Sequence, residues 1–235
     1  MKIIDAFLDL LYPPKCIVCD EPIPSEGYCS KCVNKIVPIS EECCFYCGMP
    51  LKACECNRFI YHFDGITSLH FNETYAQDAV YKFKFKGVFS CVNTFADGMA
   101  ERCVKNFGLE NIDFVTCVPA SKEGMIKRGF NQSELLAKRI ATDILKPFEP
   151  HLLTKKDGVK TQHSITNVYQ RFENIRNGFL VNRKIKNQNV LIVDDIKTTG
   201  ASLDECARQL KFAGATNIYC VTALISAPKH HNKET

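Results

Sequence analysis

Two groups of residues in this chain are of the right type and spacing to do chemistry. The first is the string Val190-Leu-Ile-Val-Asp-Asp-Ile-Lys-Thr-Thr-Gly-Ala-Ser202, in which an apolar run ends in two adjacent carboxylates and continues through a hydroxyl-rich turn. A buried strand that feeds directly into a helix offers unpaired N–H groups and a partial positive charge to an anion at the carboxyl end of the strand. Thr198, Thr199 and Ser202 add hydroxyl donors, and Gly200 with Ala201 leaves room for close approach of the backbone to a phosphate. Asp194 and Asp195 repel phosphate, so they must face hydrogen-bond donors or a cation. Sugar hydroxyls and Mg²⁺ meet that need.

The second group is cysteine. Nine of the 14 cysteines lie between Cys16 and Cys56; the others are Cys91, Cys103, Cys117, Cys206 and Cys220. A tetrahedral zinc site takes two thiolates from each of two tight turns, which the Cys-x-x-Cys spacing supplies. Cys16, Cys19, Cys29 and Cys32 form the stronger set. Cys44, Cys47, Cys54 and Cys56 form a second, with Gly48 helping its turn to close and Cys43 as an alternative to Cys44. An interleaved pairing, Cys16 and Cys19 with Cys44 and Cys47, is also open. About 40 residues cannot build a sufficient apolar core, so one or two Zn²⁺ ions would supply folding free energy. A closed four-thiolate shell leaves zinc no open position, which makes its role structural. No export signal accompanies the cysteines, so metal ligands in a reducing cytoplasm are expected instead of disulfides. The five scattered cysteines sit in apolar stretches and are expected in the core.

The elements that must position these groups follow from periodicity. At 235 residues and 46% apolar composition the chain can bury one sizeable core plus a small module, and composition shifts near residues 57–64. The expected division is a Cys-rich module at 1–60 and an α/β domain at 61–235. Helical spacing runs through Thr74–Lys86, Cys91–Phe107 and Ser133–Leu145, with a short apolar strand Phe114–Pro119 between. Val190–Val193 reads as a buried parallel strand, a helix follows over Ser202–Ala213, and Ile218–Leu224 is the next strand. A further helix near Tyr169–Ile175 and a strand at Phe179–Val181 complete the pattern. The polar stretch Thr154–Asn167 reads as a long mobile loop. Ile3–Leu11 has the spacing of a short amphipathic helix and is too short and too charged to span a bilayer. The net charge of +4 permits nucleic-acid binding without arguing for it.

The Asp-Asp-Ile-Lys-Thr-Thr-Gly-Ala-Ser string resembles the binding motif for 5-phosphoribosyl 1-pyrophosphate (PRPP) of the type I phosphoribosyltransferase superfamily. With the Cys-x-x-Cys pairs, Arg128-Gly-Phe-Asn-Gln132, Gln162, Arg171 and Asn174, nearly the whole chain is similar to the ComF family. The resemblance implies a parallel sheet flanked by helices, with a zinc ribbon module before it. It implies ribose-hydroxyl contacts from Asp194 and Asp195 and a 5-phosphate cradle at Thr198–Ser202. Ala120, Ser121 and Lys122 match the pyrophosphate loop, with Arg128 as a counter-charge, and Lys160 and Gln162 fall in the hood loop that closes over PRPP. Lys197 departs from the superfamily, which usually has an aliphatic residue there. A solvated loop lysine and an extra phosphate or nucleic-acid contact are both open.

The resemblance also implies a role in handling incoming single-stranded DNA during natural competence, with helicase or recombination proteins of DNA uptake as partners. Phe45, Tyr46, Phe59 and Tyr61 near Arg58 either stack bases or pack the ribbon on the large domain. Lys82, Lys84 and Lys86, alternating with Phe83 and Phe85, either extend a basic surface or form a solvated face over a core face. The competing expectations are an active Mg²⁺-dependent transferase and a sensor that binds PRPP without turnover. His163 is the one histidine placed where acid–base chemistry is imaginable.

Overall fold

A computed structural model describes residues 14–36, 39, 43–54, 56, 60–86, 90–157 and 168–226. The expected helix Ile3–Leu11 lies outside the described residues, as do Arg58, Phe59, Lys160, Gln162 and His163.

After the cysteine-rich segment, which contains one helical turn at Ser30–Val33, the chain runs β1 (Gly65–Phe71), α1 (Thr74–Lys86), α2 (Ser90–Phe107), β2 (Phe114–Cys117), α3 (Lys122–Arg128) and α4 (Gln132–Asp143). It continues through β3 (Leu153–Lys155), α5 (Val168–Ile175), β4 (Phe179–Val181), β5 (Val190–Lys197), α6 (Ala201–Phe212) and β6 (Ile218–Ile225). Four strands form a parallel sheet in the order β1-β6-β5-β2, and β3 pairs with β4 in a separate antiparallel ribbon. Parallel sheets need cover on both faces, and the alternation along β5 shows how it is provided. Leu191 and Val193 point into a core shared with α1, α2 and α4; Val190 and Ile192 point into one shared with α6 and the β3–β4 ribbon. The five scattered cysteines are all buried in these two cores, as expected.

Helix α1 buries Ala76, Ala79, Val80 and Phe83, the i, i+3, i+4, i+7 stripe of a helix lying on a core. Phe83 is fully buried beside Phe95 and Met99 of α2, and each large side chain of this kind contributes about 2 to 3 kcal/mol. The ribbon segment attaches at two places. Its first part packs Cys16, Ile17, Val18, Cys29, Cys32 and Ile36 into the α1–α2 core. Its second part lies against Ile225 at the end of β6 and along the outer margin of β1. There the Ile66 N–H donates to the Phe45 carbonyl at 2.9 Å, and the Ile39 N–H donates to the Leu69 carbonyl at 3.4 Å.

Three local features differ from the sequence reading. Thr154 and Lys155, expected in a mobile loop, belong to β3, because their pairing with Leu180 and Phe179 satisfies backbone groups that periodicity does not reveal. β1 and α3 carry no clear signal, being respectively a strand whose apolar residues are broken up by Thr67, Ser68 and His70 and a seven-residue helix rich in charge. The strand that begins at Val190 does not stop at Val193 but continues to Lys197. Among the described residues no helix is long and apolar enough to cross a membrane.

Candidate functional site

Strands β5 and β2 are neighbours in parallel register, so the loops after them open at the same edge of the sheet. After β5, Gly200 turns the chain into α6 with φ +82°, a left-handed conformation that glycine adopts without strain. Its carbonyl accepts from the Asp204 N–H at 2.8 Å, closing the first turn of the helix. Asp194 and the residues 196–203 line a hollow of about 30 Å³ at this helix end. Thr198 is exposed, Thr199 and Ser202 are half-buried, and Ala201 is buried. Arg171 of α5 leans over the turn, its guanidinium donating to the Thr198 hydroxyl at 3.4 Å.

The two carboxylates differ in their partners. Asp194 Oδ1 accepts from the Ser133 hydroxyl at 2.7 Å and from the Asp195 N–H at 2.9 Å. Asp195 Oδ2 lies 2.6 Å from Lys84 Nζ. Burial and then the charge of Asp195 push the Asp194 carboxyl up to about 7, against the opposing pull of the Ser133 bond, the Asp195 N–H and Lys84. Asp194 as a residue retains some surface, but its carboxyl group sits in dense packing, and that is what raises it.

The loop after β2 is organised by α3 and by the start of α4. Ser121 caps α3, its hydroxyl accepting from the Gly124 N–H at 3.0 Å, and Ala120 precedes it, half-buried. Lys122 is paired with Asp157, and the Arg128 guanidinium lies back along α3 against Gly124. Asn131 donates to the Val118 carbonyl at 3.1 Å, fixing the end of β2. Gln132 is buried, with its amide nitrogen lacking a hydrogen-bond partner. The Arg128-to-Gln132 motif therefore ties the β2 loop down, and Ser133 immediately after it touches Asp194.

Two residues were placed differently by the sequence. The sequence pattern puts Lys84 on a basic surface or a solvated face; it points inward to Asp195, while Lys82 binds the Val18 carbonyl and Asp20 of the cysteine segment. Only the one-turn offset of Lys84 from the buried stripe on α1 could have hinted at this. Lys197 is not a solvated loop lysine. It ends strand β5 at 4% exposure, with its ammonium 5.4 Å from the centre of the Tyr61 ring, and burial lowers its pKa. Ser133 was missed altogether, since a serine one residue into an amphipathic helix looks ordinary.

The cysteines fall into two groups of four, Cys16/Cys19/Cys29/Cys32 and Cys44/Cys47/Cys54/Cys56, with the sulfurs of each group within 4.8 Å of one another. The interleaved pairing is thereby set aside, and Cys44 takes the place for which Cys43 was the alternative. Both knuckles have the same build: the Asp20 N–H donates to the Cys16 carbonyl at 3.0 Å and the Gly48 N–H to the Cys44 carbonyl at 2.8 Å. Asp20 and Gly48 both have positive φ. A zinc tetrathiolate has sulfurs about 3.8 Å apart, given Zn–S bonds of about 2.3 Å. Cys19–Cys29 and Cys47–Cys54 stand at 3.7 Å and Cys44–Cys56 at 3.4 Å, so the ligand sets fit such an ion. Burial opposes ionisation of Cys16 and Cys44, yet hydrogen bonds from neighbouring backbone N–H groups and from other thiols of each set outweigh it and bring each thiol down to about 7. Phe45 packs edge-on to Phe107 and close to Tyr219, which favours the packing role over base stacking for that ring; Tyr46 beside it is exposed.

Residues 7–59 match the double zinc ribbon domain family and residues 131–234 the phosphoribosyl transferase domain family. The competence protein ComFC of Bacillus subtilis (strain 168) is 25% identical over 209 residues, covering 80% of this chain and 79% of that protein. Over four fifths of its length the chain is thus similar to a ComFC competence protein. Other relatives are the DNA utilization proteins YhgH of Escherichia coli (strain K12), 29% identical over 48% of this chain and 51% of that protein, and of Salmonella typhi, 25% identical over 89% and 96%. With the Escherichia coli protein the aligned stretch spans about half the relative's length. A purine phosphoribosyltransferase structure from Pyrococcus horikoshii Ot3 superposes with a TM-score of 0.36 at 19% identity, covering 57% of this chain and 72% of that one, too distant to inform the site. The two domain matches agree with the architecture described above: a parallel α/β domain of phosphoribosyltransferase type preceded by a cysteine-rich ribbon.

Proposed function

We propose that this chain is a ComF-type protein that handles single-stranded DNA during DNA uptake and carries a site for PRPP or a related ribose phosphate, bound with Mg²⁺. The observation that carries the reading is the Asp194–Asp195 pair beside the hydroxyl-lined start of α6, in a chain similar over most of its length to a protein named for competence. In this reading Thr198, Thr199, Gly200, Ala201 and Ser202 cradle the 5-phosphate, and Asp194 and Asp195 receive the ribose hydroxyls and face Mg²⁺. Ala120, Ser121, Lys122 and Arg128 serve the pyrophosphate, joined by the buried amide of Gln132, which has a donor to give. Lys160 and Gln162 belong to the hood segment. The metal's chemistry there is neutralisation of phosphate charge.

Calorimetry with PRPP and Mg²⁺ on the wild type and on Asp194→Asn/Asp195→Asn, with single-stranded DNA titrated into each, tests the reading. Saturable PRPP binding lost in the double variant, together with DNA binding that weakens steeply with salt, supports it. PRPP heat unchanged in the double variant sinks it.

The second reading is an active transferase, in which the C1–O bond to pyrophosphate breaks and an acceptor nitrogen bonds to C1. It is favoured by the paired carboxylates, which suit the positive charge that develops on the sugar. Pyrophosphate release that requires one acceptor and vanishes in the double variant supports this second reading; binding without release leaves the first alone.

A further inference from the structure

Lys197 is the most thoroughly buried cation that the described residues contain, and it has no carboxylate within ion-pair distance among them. An ammonium in such a position is costly without a counter-charge. Tyr61 covers one side of it. Lys197 is in register with Ile225, which packs with Cys44 and Cys47, and the Tyr61 ring over it packs on the same cluster with Cys56; Cys47, Cys56 and Cys220 are the thiols whose ionised forms would act on it. Cys220 is fully buried and its thiol is pushed well above the ordinary range, so it stays neutral. Cys47 and Cys56 belong to the second ribbon set, and metal binding makes both thiolates. A Zn²⁺ ion with four thiolates carries a net charge of −2, the counter-charge that Lys197 lacks.

The same contacts reach the phosphate turn. Tyr61 packs against both the second cysteine set and the core under α6, and its hydroxyl donates to the Thr199 carbonyl at 3.2 Å. Its place is set by the next residue, His62, whose N–H and ring bind Asp204 in the first turn of α6. A Cβ placed on Gly200 would stand 3.1 Å from both Lys197 Cε and the Tyr61 ring.

We propose that the zinc-loaded second cysteine set is the counter-ion of Lys197, and that through Lys197 and Tyr61 this metal holds the Thr198–Ser202 turn in its binding shape. The two ribbon sites then differ in role: the first fastens the ribbon to α1 and α2, and the second is a positioning part of the ribose-phosphate site. This link rests on the ribose-phosphate reading for the turn's ligand, but not for the metal linkage.

The test measures zinc first and ligand second. Full-length wild type, Lys197→Met and Lys197→Arg are titrated with a chromogenic chelator that follows release of each zinc, with Cys29→Ser/Cys32→Ser identifying which release belongs to the second site. Loss of one zinc about tenfold more readily in Lys197→Met, with the other unchanged and Lys197→Arg close to wild type, is expected. Equal retention of both ions in Lys197→Met overturns the proposal. Hydrogen exchange over residues 198–202 then reads the turn without any ligand. Faster exchange in Cys54→Ser/Cys56→Ser, partly reversed by adding Lys197→Met because the buried charge is then gone, is expected; unchanged exchange refutes the coupling to the turn. PRPP calorimetry on the same proteins separates the two readings, since absence of PRPP binding in wild type removes the ligand assignment and leaves the zinc result standing.

Discussion

The ammonium of Lys84 stands 2.6 Å from the carboxylate of Asp195, joining the last turns of α1 to the end of β5. Both side chains are mostly covered, so this pair is not an ordinary surface salt bridge. It neutralises one of two adjacent acids that would otherwise repel each other in a confined space. Replacing Lys84 by Met should therefore destabilise the protein by about 2 kcal/mol at pH 8, since an unpaired buried charge is left behind. The deficit should shrink at pH 6, where the Asp194 carboxyl, raised to about 7, takes up a proton. Thermal melts of both proteins at the two pH values check this, and an equal deficit at both contradicts it.

Asp194 gives a second pH prediction. Its carboxyl is raised to about 7, above its value in an unfolded chain, so the native state holds the extra proton between about pH 4 and 7. Its contribution to stability is fully present below pH 4 and is lost as pH rises through 7. Binding of Mg²⁺ and ribose hydroxyls requires the ionised form, so PRPP affinity should run the other way. It should be about tenfold weaker at pH 6 than at pH 8, with a proton released on binding at the lower pH. Calorimetry in buffers of different ionisation enthalpy measures that proton.

Ser133 holds Asp194 through a 2.7 Å bond to its ionised form. Ser133→Ala should raise the Asp194 carboxyl further and weaken PRPP binding at pH 7 by about tenfold, or about 1.4 kcal/mol. Raising the pH to 8.5 should restore most of the loss. A deficit independent of pH would mean that the serine acts by shape alone.

Gly200 combines a φ of +82° with side chains packed against its open face. Alanine there should cost about 1 to 2 kcal/mol, from the left-handed backbone and from displacement of Lys197 and Tyr61. Denaturant titration gives the stability loss, and a parallel loss of PRPP binding shows that the turn itself has moved.

Elemental analysis should find two zinc ions per chain, and Cys32→Ser should lower that to one. Because the first cysteine set is built into the α1–α2 core, its loss should also lower the melting temperature of the whole chain. A ribbon melting independently, with the α/β domain unaffected, is the contrary outcome.

Much of this architecture could be read from residue order because the relevant signals are local. The apolar run at Val190, the small residues after Asp195 and the Cys-x-x-Cys spacings each specify short-range geometry, and the central strands and the helices beside them lie where periodicity puts them. Lys84, Ser133 and Tyr61 were harder, because each reaches a partner more than 60 residues away and nothing local marks it. Lys197 shows the same limit from the other side. The residues that follow it are polar and loop-like, whereas its environment is set by Tyr61 and by strand β6.

The outer margin of β1 is occupied by ribbon backbone, with the Phe45 carbonyl and the Ile39 amide filling two positions that a further strand would otherwise take. Uncovered strand margins recruit strands from other molecules. Under metal starvation, then, the expected failure of this protein is not quiet unravelling of a small appendage but self-association along a newly bared row of peptide groups.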